Sequence, residues 1–180
     1  MASWTPNIFI GNTNTYQVTD FRDAVTEQLE DGAEMYMSLC ENPPPNSQKI
    51  TNASNESPIV ITSAGHGLTT GEVVTIIDVG GNGAAKGTFT VTRLTNDTFS
   101  LQGSAGDGSY TKGGQWYRCL PSATALPMVS MGDGLYTVDV DGSLGLLPNT
   151  SYALVIYCLG AYRDVFNYVV RVVARVRGSN

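Results

Sequence analysis

The stretch GTFTVTRLTNDTFSL, residues 87–101, limits the possible folds more than any other. Thr88–Leu94 and Thr98–Gln102 alternate or carry β-branched and aromatic side chains, which suit a pleated strand and fit a helix poorly. Asn96 and Asp97 between them tolerate positive φ, so the two runs predict a tight hairpin. Ile59–Thr62 and Glu72–Ile77 have the same texture. Four or five such strands in about 65 residues predict a small β-barrel.

Composition extends this reading to the whole chain of 180 residues. Glycine occurs 20 times, tyrosine nine times, and charged residues make up only 14%, a balance that favours short strands joined by tight turns. The hydrophobic fraction of 42% is enough to build cores in one ordinary domain or two small ones. The expected class is all-β.

Two changes of texture bracket the middle of the chain. Residues 43–58, PPPNSQKITNASNESP, read as a connector, and the glycine-rich stretch at 103–115, GSAGDGSYTKGGQ, as a second boundary. The expected organisation is a sandwich from residues 1–50 plus 119–180 and an inserted barrel from 51–118. The barrel segment has a formal charge of −1, which leaves −5 of the total −6 on the flanks.

In the first flank, Tyr16–Phe21 and Ala33–Leu39 read as strands around a polar turn. Phe21, Ala24, Val25 and Leu29 also have helix-like spacing, so a helix over Asp20–Glu30 competes with the turn. In the second flank, Gly134–Val140, Ser151–Leu159 and Val165–Val176 read as strands. SYALVIYCL is apolar on both faces, which predicts a central position in its sheet, with strands of the first flank beside or over it.

An acidic balance argues against a nucleic-acid binder, which needs surplus Lys and Arg to displace counterions from phosphates. MASWTPNIFIG lacks a basic then apolar leader pattern, and no run of about 18 apolar residues occurs, so neither secretion nor membrane insertion is expected. Cys40, Cys119 and Cys158 have neither disulfide-framework nor zinc-site spacing, and reduced thiols are expected. No cofactor is expected.

Ser63–Ile76 (SAGHGLTTGEVVTI), Gly87–Thr92 (GTFTVT), Asn96–Leu101 (NDTFSL) and Gly108–Gly114 (GSYTKGG) together resemble a small β-barrel module of tailed-bacteriophage virion proteins. That module is similar to the first catalytic-cysteine half-domain of ubiquitin-activating enzymes but carries no catalytic cysteine, and none lies between Cys40 and Cys119. DFRDAVTEQLEDGAEMYMSL and GLYTVDVDGSLGLLPNTSYALVI resemble the immunoglobulin-like sandwich of small phage structural proteins. The resemblance implies a non-enzymatic virion protein that docks on the particle as capsid decoration or as a neck, head-to-tail or tail component. Its partners are then other virion proteins in multiple copies, with assembly in the host bacterial cytoplasm. A tail or fibre module binding host-surface carbohydrate is the alternative, with Tyr110, Trp116 and Tyr117 as exposed aromatic binding residues.

His66 is the only histidine. Catalysis would require a nucleophile or metal partner and an orienting carboxylate, whereas flanking glycines fit a turn that leads into a strand. GSAGDGSY and VGGNGAAKG lack the order of a phosphate-binding loop and read as hairpin loops. Asp139–Gly142 lacks the spaced ligands of a calcium loop. The last strand is more pointed: Arg171, Val173, Arg175 and Arg177 share one face and Val170, Val172, Ala174 and Val176 the other. Its basic row protects a sheet edge or docks onto an acidic surface, for which a planar guanidinium suits carboxylates.

Overall fold

Short β-branched and aromatic runs punctuated by glycine dictate strands throughout, and the computed structural model is all-β. It describes residues 7–23, 26–43, 48–162 and 167–176. The chain opens with β1 (Asn7–Phe9), β2 (Thr13–Val18) and β3 (Met35–Glu41). It continues through β4 (Asn52–Ala53), β5 (Val60–Thr62), β6 (Val73–Gly80), β7 (Gly87–Arg93), β8 (Thr98–Leu101) and β9 (Lys112–Arg118). It ends with β10 (Leu126–Pro127), β11 (Val129–Gly132), β12 (Leu135–Asp141), β13 (Ser151–Cys158) and β14 (Asn167–Arg175). Helix among the described residues is confined to three-residue 3-10 turns. Two compact units result, Met1–Asn42 with Ser122–Asn180, and Pro43–Pro121.

In the split unit, five strands run in the order β1-β14-β13-β3-β10 and three in the order β11-β12-β2. Residues Tyr152–Cys158 of β13 are all buried, between β14 on one side and β3 on the other, which is the central position its apolar run demands. β12 alternates: Tyr136, Val138 and Val140 point inward while Asp139 and Asp141 are exposed. β3 pairs with β10 through Leu126↔Met37, so the chain leaves and re-enters this unit between neighbouring strands.

The turn after β2 is polar, and no helix forms in the described part of Asp20–Glu30; Ala24 and Val25 lie outside the described residues. β2 ends at Val18 rather than Phe21 because Asp20 takes a left-handed conformation, φ 58°. Phe21 then drops edge-on against Tyr136 and Tyr162, with ring centroids 5.8 and 5.6 Å apart. The loop is tied down by Gly134 N–H donating to Asp31 (2.8 Å), Ala33 N–H to the Tyr136 hydroxyl (2.9 Å) and the Tyr162 hydroxyl to Glu30 (2.7 Å). β1 is too short to be distinctive in sequence and pairs in parallel with β14. Val173–Arg175 is therefore not a sheet edge, which corrects the edge-protection reading there. The start of the expected strand, Val165 and Phe166, lies outside the described residues.

In Pro43–Pro121 six strands run β4-β5-β8-β7-β6-β9. The segment before β4 closes this sheet: Ile50 N–H bonds Gly114 O and Trp116 N–H bonds Gln48 O, while Thr51 N–H bonds Thr62 O. One continuous stretch thus joins β9 to β5, and residues 48–50, which resemble connector in composition, belong to the sheet. β9 itself crosses the stretch expected to be a glycine-rich boundary. Its Gly114, at φ 102°, lies so close to Ile50 that a Cβ would sit 3.0 Å from Ile50 Cβ. The core gathers Trp116, Phe99, Ile59, Ile61, Leu68, Ile76, Val91 and Leu101.

Candidate functional site

The two faces of β14 differ in chemistry because successive side chains alternate sides. Arg171 and Arg175 are exposed, with Val173 half-buried between them, whereas Val172 and Ala174 on the other face are buried. Arg171 Nη2 donates to Ser151 Oγ at 2.9 Å, and Arg175 Nη1 to Asn149 Oδ1 at 2.6 Å. These neutral acceptors steady the side chains without neutralising them. Arg22 of the same unit is instead paired with Asp20 at 2.6 Å. Arg177, the third member expected in the row, lies outside the described residues.

The electrostatic setting sharpens the contrast. Pro43–Pro121 contains five basic and five acidic residues, so the whole formal charge of −6 falls on the unit that carries the arginines, with eleven acidic and five basic residues. A locally positive row on an otherwise acidic unit orients an approaching acidic surface.

On the opposite face, Tyr168, Val170, Leu154 and Ile156 form one wall of a cleft of about 830 Å³, with β2 along the other side. β1 closes one corner through Asn14: Phe9 N–H donates to Asn14 Oδ1 at 2.7 Å, and Asn14 Nδ2 donates to Phe9 O at 3.1 Å. That amide, 8% exposed, satisfies β1 where a strand partner would otherwise stand. The Tyr16 hydroxyl donates to Asn7 O at 3.3 Å, and burial pushes its pKa up to about 12.

The aromatic residues expected to bind carbohydrate do not form an exposed site. Trp116 is 2% exposed, with Nε1 donating to Ser63 Oγ at 2.9 Å, and Tyr117 is 7% exposed. Tyr110 packs partly buried on the same core, its hydroxyl donating to Ile50 O and Gly113 O. Sequence misplaced them because the surrounding glycines mimic loop, whereas Trp116 and Tyr117 lie in strand β9 and Tyr110, just before it, packs on the same core.

His66 is a structural residue in geometry. Leu68 N–H donates to Nδ1 at 3.0 Å, so Nε2 carries the proton and donates toward Thr95 O (3.1 Å) and Thr98 O (3.3 Å). The ring is 5% exposed and sits edge-on to Phe99 at 5.0 Å. Its polar partners are main-chain groups, and Gly67 at φ 65° supplies the reversal into β6.

The two glycine-rich loops fill each other. Asn82, fully buried, donates to Ser54 O at 2.8 Å, and Ala84 N–H donates to Asp107 Oδ1 at 2.9 Å. At Asp139–Gly142, Thr15 Oγ1 donates to Asp139, while Asp141 accepts from Ser143 N–H and Oγ, which holds its carboxyl below the usual range. No group of three or more metal-ligating side chains occurs among the described residues. Cys40, Cys119 and Cys158 are buried and form no disulfide, and burial pushes the Cys158 thiol up to about 12. No described helix is long and apolar enough to cross a membrane.

No protein-family model matches the chain, and no curated protein is significantly similar to it.

Proposed function

We propose that this chain is a non-enzymatic structural protein of a tailed-bacteriophage virion and docks on a neighbouring virion subunit through the arginine row of β14. The single observation that carries the docking mode is the exposure of Arg171 and Arg175, held only by neutral oxygens, in the unit that bears the whole net negative charge. A guanidinium presents planar forked donors, so the chemistry of the partner is a carboxylate-rich surface. The virion assignment itself is supported by the four ordered motifs between Ser63 and Gly114.

In this reading the split unit is an immunoglobulin-like sandwich that makes the particle contact. Pro43–Pro121 is the inserted barrel. Capsid decoration, neck ring and tail ring all suit this arrangement, and copy number separates them. An electron-microscopy map of the purified virion tests the proposal: the protein should occupy defined density with the Arg171 and Arg175 face against a neighbour. Its absence from purified particles, or an exposed arginine face in a fully occupied map, would contradict it.

A further inference from the structure

The cleft behind the arginines has a feature that a simple surface depression lacks. One side is β2, whose six residues pair with β12 in unbroken register from Val18↔Tyr136 to Thr13↔Asp141. β12 is its only strand partner among the described residues. The outer edge of β2 therefore offers a row of main-chain donors and acceptors. Its sequence TNTYQV contains neither a charged residue nor a proline, the usual devices that stop a free edge from pairing.

The opposite wall supplies what an added strand would need for its side chains. The partly buried Val170 and the Tyr168 ring, 57% exposed, form the accessible apolar surface, with Leu154 and Ile156 buried beneath them. None of the described residues lining the cleft is charged, although the unit around it carries the net charge of the chain. An ionic ligand finds no counter-charge there. The volume of about 830 Å³ falls within the range of ligand-sized clefts, and a six-residue strand extends roughly 20 Å, the length of β2.

We propose that this cleft receives an extended, uncharged segment of a partner protein, which adds as a strand to the free edge of β2. Alternate side chains of that segment are apolar and lie on Tyr168 and Val170, while its backbone completes the ladder. The segment uses the face of β14 opposite the arginines, so this contact is independent of the charged one.

The test uses the full chain and acetylated, amidated peptides whose six-residue core alternates threonine with valine, isoleucine, leucine or phenylalanine, followed by a solubilising lysine pair. Amide chemical shifts should change saturably along Thr13–Val18 for at least one peptide of the set. Two analogues of that peptide are then N-methylated, each on one of the two alternating sets of core residues. Only one set faces β2 in an added strand, so one analogue should lose at least about tenfold in affinity and the other should bind like the parent. Val170→Glu should weaken the parent to a similar degree.

No saturable shift with any peptide would overturn the proposal. Equal binding by both analogues would overturn strand addition, because apolar contact alone would then be the cause. Concentration-dependent shifts along β2 without peptide would make a second copy the occupant and overturn the commitment to a separate partner. Failure of any of these leaves the arginine row untouched, since charge reversal there is read in particle incorporation.

Discussion

The two units of this chain solve the same problem of strand edges in opposite ways. In Pro43–Pro121 residues 48–53 bridge β9 and β5, the glycine loops bond one another, and Arg118 is tied to Glu72 and to Gly67 O. That unit spends its polar groups on itself and has no formal net charge. The split unit leaves the outer side of β2 open, exposes two arginines held only by neutral oxygens, and bears the full net charge. The open strand edge and the exposed arginines thus both lie in the split unit, while Pro43–Pro121 holds the histidine and aromatic residues that most resemble functional groups in sequence.

The largest expected effect falls on the closed unit. Trp116→Ala removes its largest fully buried side chain and the bond to Ser63, and should cost about 3 to 5 kcal/mol of that unit's stability. Calorimetry or hydrogen exchange resolved by residue should show the loss in residues 48–121 and leave β12–β14 protected. A uniform loss over the whole chain would erase the distinction between the units.

His66→Ala should come next, at about 2 to 3 kcal/mol, because it leaves the Leu68 N–H without its acceptor as well as opening a space beside Phe99. This exceeds the cost of one exposed turn bond. Chemical denaturation would measure it, and His66→Gln should recover part of the loss. A substitution that abolishes a hydrolytic or transferase activity while the fold survives would move His66 from structure to chemistry.

Alkaline titration separates the units by another route. Burial holds Tyr16, and the bond to Glu30 first and burial second hold Tyr162, at about 12 instead of 10. Their folded forms keep protons that the unfolded chain loses, so the stability they contribute is complete below pH 10 and disappears as pH rises through about 12. Tyrosinate absorbance followed together with unfolding should place the loss in that window. Early ionisation of all tyrosines near pH 10 without loss of structure would contradict the packing described for both.

Much of this was legible in the sequence, for physical reasons that mark where the rest was hidden. β13 is apolar on both faces, a pattern only a covered central strand satisfies, and it lies between β14 and β3. The β7–β8 hairpin forms where the sequence places it, but neither Asn96 nor Asp97 takes the positive φ expected there; the turn is held instead by Leu94 and Thr95 N–H donating to Thr98 O and by the Thr95 and Thr98 hydroxyls, 2.8 Å apart. β1, β4 and β9 escaped because their cause is not local: two are only three and two residues long, and β9 carries two glycines that read as loop until Ile50 is seen lying on one of them. The arginine alternation was visible because period two is written in the chain itself. The cleft was not, since it depends on β2 and β14 being brought together by partners far away in sequence.

The smallest effect on stability belongs to the residues given the largest functional role. Replacing the exposed Arg171 and Arg175 by glutamate should shift stability by about 0.5 kcal/mol or less at each site, and the triple variant that also carries Arg177→Glu should remain folded. Measuring the copies of this triple variant retained in purified particles, beside a variant in which a short Gly/Ser linker replaces Pro43–Pro121, tests the central claim most directly. The triple variant should fold yet be lost from particles, and the linker variant should still be incorporated, because chain exit and return lie between the neighbouring strands β3 and β10. A full complement of the triple-glutamate protein in particles would contradict it.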